Sequence, residues 1–457
     1  MLNSNAVRSA VSGLMVTTLL TAPALADETS DRLDRLEAML SKIMDRLDAH
    51  ETMLSAQEIA VVDTARKIVA EEAEKQVAVA AAATERPTKD GFMMGNTNVS
   101  LKGYTKVDVV ASRFSDGILP SNNVGRDFYI PALVTVNPDG SDMDDWVTDF
   151  SARETRFGLT TNTPFNGDKI KTYLEIDFLV TPGGDERISN SYEPRMRHAW
   201  IEYKGLRIGQ DWSTFMDLMA FPDNLDFVGP AEGMIFERQP MVRYSAGPFD
   251  FAIEQPETAF TGPTGSRVIS GSDPLPDFIA RFTEKGSWGH IRLAGILRQL
   301  NDEDGLIEGV EEDSAIGYGL SLSGKFNVGE KDDLRFQTSF GEGLGRYVGL
   351  NVVNSAAIDA NGNLDPIATY AGYASYRHFW SEKLRSNATF GYFKADNPVQ
   401  FTGDGVTDEV FSFHGNLIYT LAPKFDIGIE YLFARRELEN GLSGTLNRLQ
   451  FSTKYAF

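Results

Sequence analysis

The chain has 457 residues, with 43 lysines and arginines against 65 aspartates and glutamates, a formal net charge of −22. A nucleic acid would be repelled by such a polyanion, so no nucleic-acid partner is expected. Cysteine is absent, which excludes a disulfide framework and any thiolate-ligated metal site.

Residues 1–26 read as a secretory signal peptide. Arg8 supplies the positive start, Ala10 to Leu20 the short apolar core, and Ala24-Leu25-Ala26 the small-residue cleavage site, so the mature chain is expected to begin at Asp27. No later segment approaches the roughly 20 consecutive apolar residues that a membrane-crossing helix needs. If the chain crosses a membrane, it does so as strands.

Residues 27–76 change to a helical pattern. Leu33, Leu36, Leu40, Ile43, Leu47, His50, Leu54, Gln57 and Val61 recur three and four residues apart, the seam of a coiled coil. Asp31-Arg32, Asp34-Arg35 and Asp45-Arg46 flank that seam with charges suited to pairing between helices. A self-associating stalk is expected here, with a trimer favoured over a dimer. A lone helix packed under the following domain is the blander alternative. Residues 77–91, rich in alanine and broken at Arg86-Pro87, read as a linker.

From residue 92 to 457 the period is two, and short connections alternate with long ones. Strands are expected at Val99–Ala111, Phe150–Asn162, Lys169–Val180, Arg195–Tyr203, Leu206–Asp211, Gln239–Ala246 and Phe249–Gln255. Nine more follow near 277–284, 288–299, 314–327, 332–341, 366–380, 383–395, 408–421, 424–436 and 445–457. This is the pattern of an all-β transmembrane barrel of about sixteen antiparallel strands. The final strand illustrates it: Leu449, Phe451, Thr453, Tyr455 and Phe457 alternate with Arg448, Gln450, Ser452 and Lys454. A barrel of this size encloses an aqueous bore.

Alternation also decides what lines the bore. It places Lys102, Tyr104, Lys106 and Asp108 inside on the first strand, and turns Arg156, Arg243, Arg281, Arg292, Arg298 and Arg335 inward. Inward arginines are what any barrel shows, because at the lipid midplane each costs about 2–4 kcal/mol. Their number, together with acidic residues gathered in the connecting loops, points to a cationic wall that lowers the barrier for anions. The loop at 212–238 is long enough to fold into the bore, so that Asp217, Asp223 and Asp226 face the wall arginines. The segment Arg195-Met196-Arg197-His198-Ala199-Trp200 fits neither parity. Either Arg195 and Arg197 face inward or His198 does, with the arginines preferred. The candidate constriction is therefore Arg156, Arg195, Arg197, Arg238, Arg243 and Arg281, opposed by Asp217, Asp223 and Asp226.

Nothing in the chain resembles an active site. His50, His198, His290, His378 and His414 are scattered, with no metal-ligand spacing, no nucleophile elbow and no phosphate-cradling glycine loop. His378 beside Ser381 is a turn feature rather than a catalytic pair. No enzyme activity, cofactor or metal is expected.

Six segments, in order, resemble the DcaP-like trimeric outer-membrane porins. They are Gly103-Tyr104-Thr105-Lys106-Val107-Asp108, Ala152-Arg153-Glu154-Thr155-Arg156-Phe157-Gly158, Glu175-Ile176-Asp177-Phe178, Arg195-Met196-Arg197-His198-Ala199, Gly209-Gln210-Asp211-Trp212-Ser213-Thr214-Phe215 and Arg238-Gln239-Pro240-Met241-Val242-Arg243-Tyr244. The likeness is densest over residues 92–250. It implies a homotrimer of sixteen-stranded channels in the bacterial outer membrane, with the coiled coil in the periplasm, passing small carboxylates including dicarboxylates. The carboxyl-terminal aromatic Phe457 likewise resembles the signal read by the outer-membrane assembly machinery. Two other functions are weighed beside this one: a general or sugar-type porin using inward aromatics such as Tyr104 and Tyr173, and a structural protein tethering the outer membrane to the cell wall.

Overall fold

The computed structural model describes residues 91–137, 145–180, 189–262, 265–271, 273–302, 313–359 and 361–457, the backbone of 87–88, and isolated positions between Arg35 and Lys67. Those isolated positions, in the unit spanning Met1–Thr84, are helical and exposed. The signal peptide, the heptad seam and most of the linker lie outside the described residues.

In the second unit, Glu85–Phe457, sixteen strands form one closed antiparallel ring. They are β1 (Thr97–Phe114), β2 (Arg156–Phe165), β3 (Asp168–Asp177), β4 (Arg195–Tyr203), β5 (Leu206–Trp212), β6 (Arg238–Ala246), β7 (Phe249–Glu254) and β8 (Asp277–Gly286). Then come β9 (Gly289–Asn301), β10 (Ser314–Val328), β11 (Asp332–Glu342), β12 (Ala368–Phe379), β13 (Leu384–Asp396), β14 (Thr407–Ala422), β15 (Phe425–Leu438) and β16 (Ser443–Ala456). Each strand pairs with the next, and β16 pairs with β1 over Leu446↔Phe114 to Ala456↔Tyr104. Closure leaves no edge, which is what allows strands to cross a membrane with every backbone group satisfied.

The outer face is oily because alternate side chains must meet hydrocarbon. Leu293 and Leu297 on β9, Leu320 and Leu322 on β10, and Leu449 and Phe451 on β16 are exposed, while Ala294 and Ile296, Ser321, and Gln450 between them are buried. Short turns cluster at one rim. At two of them, Asn166-Gly167 and Lys204-Gly205, both residues have positive φ, the geometry that matches the twist of a two-residue hairpin.

Two expected strands are shorter than their sequence pattern. The segment expected at Phe150–Asn162 is interrupted at Ala152–Thr155, which separates a piece at Trp146–Ser151 from β2. Both pieces pair with β1. The break exists because Arg153 and Glu154, neighbours in sequence, are both buried. Strand β3 stops at Asp177, short of Val180, whose φ is +55°.

The long loops of the other rim fill much of the bore. Phe128 and Tyr129 from the first loop, Phe215, Met216, Met234 and Ile235 from the loop after β5, and Tyr347 and Val348 from the loop after β11 form one buried apolar cluster. A small four-stranded sheet joins the segments Arg267–Ile269, Ala259–Thr261, Ala356–Ile358 and Leu364–Pro366 at that rim. Gly319 on β10 faces this packing, since a Cβ there would lie 2.5 Å from Leu344 Cδ2.

Candidate constriction

The loop between β5 and β6, residues 213–237, crosses the bore and is fastened to the wall along its length. Asp217 accepts from Ser323 Oγ at 2.8 Å and pairs with Arg292 at 2.9 Å, with His290 Nε2 at 2.8 Å. Asp223 pairs with Arg385 at 2.8 Å and Arg377 at 3.4 Å. Asp226 accepts from the Tyr129 backbone N–H at 2.8 Å and lies 3.7 Å from Arg448. From the wall, Glu430 accepts the loop's Leu225 N–H at 2.7 Å and Asp226 N–H at 3.2 Å. Ser412 Oγ donates to Glu232 at 2.5 Å. Tyr373 donates to the Ala220 carbonyl at 2.9 Å.

Tight backbone approach completes the fit. A Cβ on Gly233 of the loop would lie 2.2 Å from the Gly372 carbonyl oxygen, so only glycine lets the loop reach the wall there. His414 lies beneath the loop, with Nε2 3.1 Å from Ser412 Oγ and Nδ1 3.3 Å from Glu430. Serine, histidine and glutamate thus stand in series, but all three are fully buried and Ser412 points its hydrogen at Glu232. They anchor the loop.

Electrostatics of the loop acids follow their partners. Burial raises Asp223, but Arg385, Arg377 and Arg335 outweigh it and hold the carboxyl below its ordinary range. Asp217 is also held low against burial, by His290 and Arg292. Asp226 and Glu232 are raised, because burial outweighs the Arg448 charge beside the first and the Ser412 hydrogen bond to the second.

The sequence-selected arginines separate into two groups. Arg156, Arg195, Arg197 and Arg238 converge around Glu175 and Asp177 of β3. Arg195 grips Asp177 with two 2.9 Å bonds. Arg197 reaches Glu175 at 2.6 Å and Asp177 at 2.7 Å, and Arg156 lies 3.6 Å from Glu175. Arg238 stacks over Trp212, 4.8 Å from the ring centroid. The second group is Arg243 with Asp211 at 2.6 Å and Arg281 with Asp250 at 2.8 Å. Arg281 also donates to the loop's Thr214 carbonyl at 3.1 Å. Asp217, Asp223 and Asp226 contact neither group directly. Their arginine partners are Arg292, Arg385 with Arg377, and Arg448.

The parity conflict on β4 is removed by a β-bulge. Glu175 pairs with His198 and Ile176 with Met196, so Arg197 is an extra residue. Arg197 and His198 are both buried, and Met196 and Ile201 are exposed. Arginines above the bulge and the histidine below it share the inner face, which is how bulges re-aim side chains.

Sequence alternation placed the arginines but not the carboxylates that neutralise them. Glu175, Asp177, Asp211 and Asp250 all lie on strands with the same inward parity. The wall is consequently less cationic than its arginines alone indicate. Below the loop, a cavity of about 310 Å³ is lined on the wall side by Lys106, Arg156, Arg197, Arg385 and Lys454 with Glu154 and Asp426, and on the loop side by residues including Phe221, Asp223, Asp226 and Phe227. Lys454, visible in the sequence as a polar position of the closing strand, belongs to this site although its type and spacing did not single it out. Among the described residues, no group of histidine, aspartate and glutamate is arranged to hold a metal ion.

An oily closed cylinder of sixteen strands, with a polar bore narrowed by an inward loop, defines an outer-membrane channel protein of the porin type. The family model described as DcaP outer membrane protein matches residues 128–457, and the chain belongs to that family. The crystal structure of the outer-membrane channel DcaP of Acinetobacter baumannii is similar over 80% of this chain and 100% of that chain, at 23% identity and a TM-score of 0.65. More distant likenesses are OmpT of Vibrio cholerae (10% identity, 82% of this chain and 100% of that chain, TM-score 0.46) and OmpF of Salmonella typhi (9%, 78% and 98%, TM-score 0.45). The search of curated proteins returned no match.

Proposed function

We propose that the chain is a passive diffusion channel for small organic anions, carboxylates and dicarboxylates among them, acting as a homotrimer. The observation that carries this reading is the convergence of Arg156, Arg195, Arg197 and Arg238 around only two carboxylates, Glu175 and Asp177. An anion entering a narrow bore loses part of its hydration, and fixed guanidinium groups replace those contacts in a planar, two-pronged geometry suited to carboxylate. A cation meets the same field as a barrier. No chemical step is needed, since conduction requires binding that is favourable on entry and weak enough for release.

The short-turn rim and Phe457 face the periplasm on this reading, with the coiled coil of residues 27–76 there as the trimerisation stalk and Phe457 as the residue met by the assembly machinery. Proteoliposome swelling tests the solute class. Dicarboxylates such as succinate should enter faster than neutral sugars of similar size, and the reverse order would favour the sugar-type channel. Cross-linking of full-length and stalk-deleted protein tests the trimer. On the tethering alternative, deletion of 27–90 would detach the envelope, whereas here conductance persists.

A further inference from the structure

The arginines that gather in the bore alternate with aromatic rings in an unbroken band across the inner wall. At one end, Lys454 Nζ of β16 lies 4.2 Å from the Tyr104 ring centroid. Arg156 of β2 lies 5.1 Å from the same ring centroid and 6.0 Å from that of Phe227 in the inward loop. Arg197 of β4 follows, 5.5 Å from Phe227 and 5.6 Å from Trp212. Arg238 of β6 closes the series at 4.8 Å from Trp212. Rings at these distances attract the cations electrostatically and fix their spacing.

Charge compensation along the band is uneven. The two inner arginines are answered by Glu175 and Asp177. Lys106, the cross-strand neighbour of Lys454, is answered by Glu154 and by Asp108 at 3.4 Å. Arg195 is answered by Asp177. At the two ends the pattern stops. Among the described residues, neither Lys454 nor Arg238 makes an ion pair, and Arg238 has a buried guanidinium nitrogen with no hydrogen-bond partner. Six cations of the band thus share four ion-paired carboxylates, and Lys454 and Arg238 are the two without an ion-pair partner, with Glu154 and Asp223 near the first and Glu237 beside the second.

We infer that Arg238 and Lys454 are the specificity-determining residues of the channel, the two wall cations whose charge is left for a permeating carboxylate, while Arg156 and Arg197 position the band. The inference rests on the anion-channel reading and assigns the selectivity within it. Lys454 lines the cavity below the loop and is exposed to it, so it meets solute directly. Arg238 stands across Trp212 from Arg197, at the opposite end of the band. An anion in the cavity therefore meets Lys454 directly, while the half-buried Arg238 acts on it through its field from the far end of the band.

Reversal potentials of the full-length protein in planar bilayers, first with potassium chloride and then with potassium succinate, test this. Arg238→Gln and Lys454→Gln should each lower the anion-over-cation permeability ratio by about threefold, and the double variant by about tenfold. That is the size of effect on the ratio when a unit charge roughly 6 Å away acts oppositely on anion and cation and salt screening about halves it. Arg238→Lys and Lys454→Arg should restore most of the ratio, and heat-modifiable mobility on gels establishes that each variant is folded. Lys383→Gln, at the exposed turn between β12 and β13, should leave the ratio unchanged. An anion-selective parent whose double variant, folded, keeps the parental ratio overturns this inference and leaves the anion reading standing. A cation-selective parent overturns both.

Discussion

Arg197 and His198 are adjacent in sequence, yet both side chains enter the bore, because β4 bulges opposite Glu175. The bulge lets Arg197 span Glu175 and Asp177 while His198 Nδ1 sits 3.0 Å from Asp211 on β5. Three strands are tied together at the level where the loop crosses. Replacing Arg197 with methionine keeps the volume but leaves buried carboxylates undercompensated, a loss of about 3–5 kcal/mol. Urea-induced unfolding in detergent, read by gel mobility, should show that loss. A midpoint unchanged from the parent would mean that the network carries no stability.

The closing seam makes a second prediction. Phe457 donates its backbone N–H to the Gly103 carbonyl at 3.0 Å, and its ring packs 5.9 Å from Phe157. A Cβ at Gly103 would stand 2.2 Å from the Arg156 carbonyl oxygen and 2.9 Å from the Phe457 ring. Gly103→Val should therefore abolish the heat-resistant folded form. Phe457→Ala should reduce its yield and leave the conductance of the assembled fraction unchanged. Both are read from outer-membrane fractions.

Much of this architecture was legible in the chain itself. Lipid forces alternation on the outer face, so residues such as Leu293, Leu320 and Phe451 announced their strands, and the alternation of short and long connections gave sixteen. Its length suggested that the loop after β5 folds into the bore. What alternation missed depends on contacts between strands. The bulge at Arg197 shifts parity within one strand, and the break at Ala152–Thr155 buries two consecutive charges. The pairing of Arg243 with Asp211 and of Arg281 with Asp250 is set by register, which no single strand records. For that reason the free charge on Lys454 and Arg238 was invisible among so many arginines.

Asp223 supplies a third prediction. It links the inward loop to Arg385 and Arg377, on β13 and β12. Asp223→Asn removes the charge from that junction and should loosen the loop, raising open-channel current noise and exposing residues 213–237 to added protease. Arg385→Gln should do the same. Quiet recordings and a protected loop in both variants would show that the remaining anchors at Asp217, Glu430 and Ser412 suffice.

The pH dependence follows from signs. Asp217 and Asp223 have folded values below the ordinary carboxylate range. Their contribution is present above the unfolded value of about 3.9 and is lost as pH falls through the lower folded value. Asp226 and Glu232 are raised, so each takes up a proton earlier on acidification and stops opposing the folded state. The loop should stay docked from pH 7 to about pH 5 and release only below about pH 4. Conductance and loop proteolysis across that range check this, and release already at pH 6 would contradict it.

The central claim is that the bore favours anions because its wall carries positive charge that its own carboxylates do not cancel. The most direct measurement is the sign of the zero-current potential of the reconstituted wild-type protein in a potassium chloride gradient. The account predicts the sign of a chloride-selective pore, and potassium selectivity would contradict it.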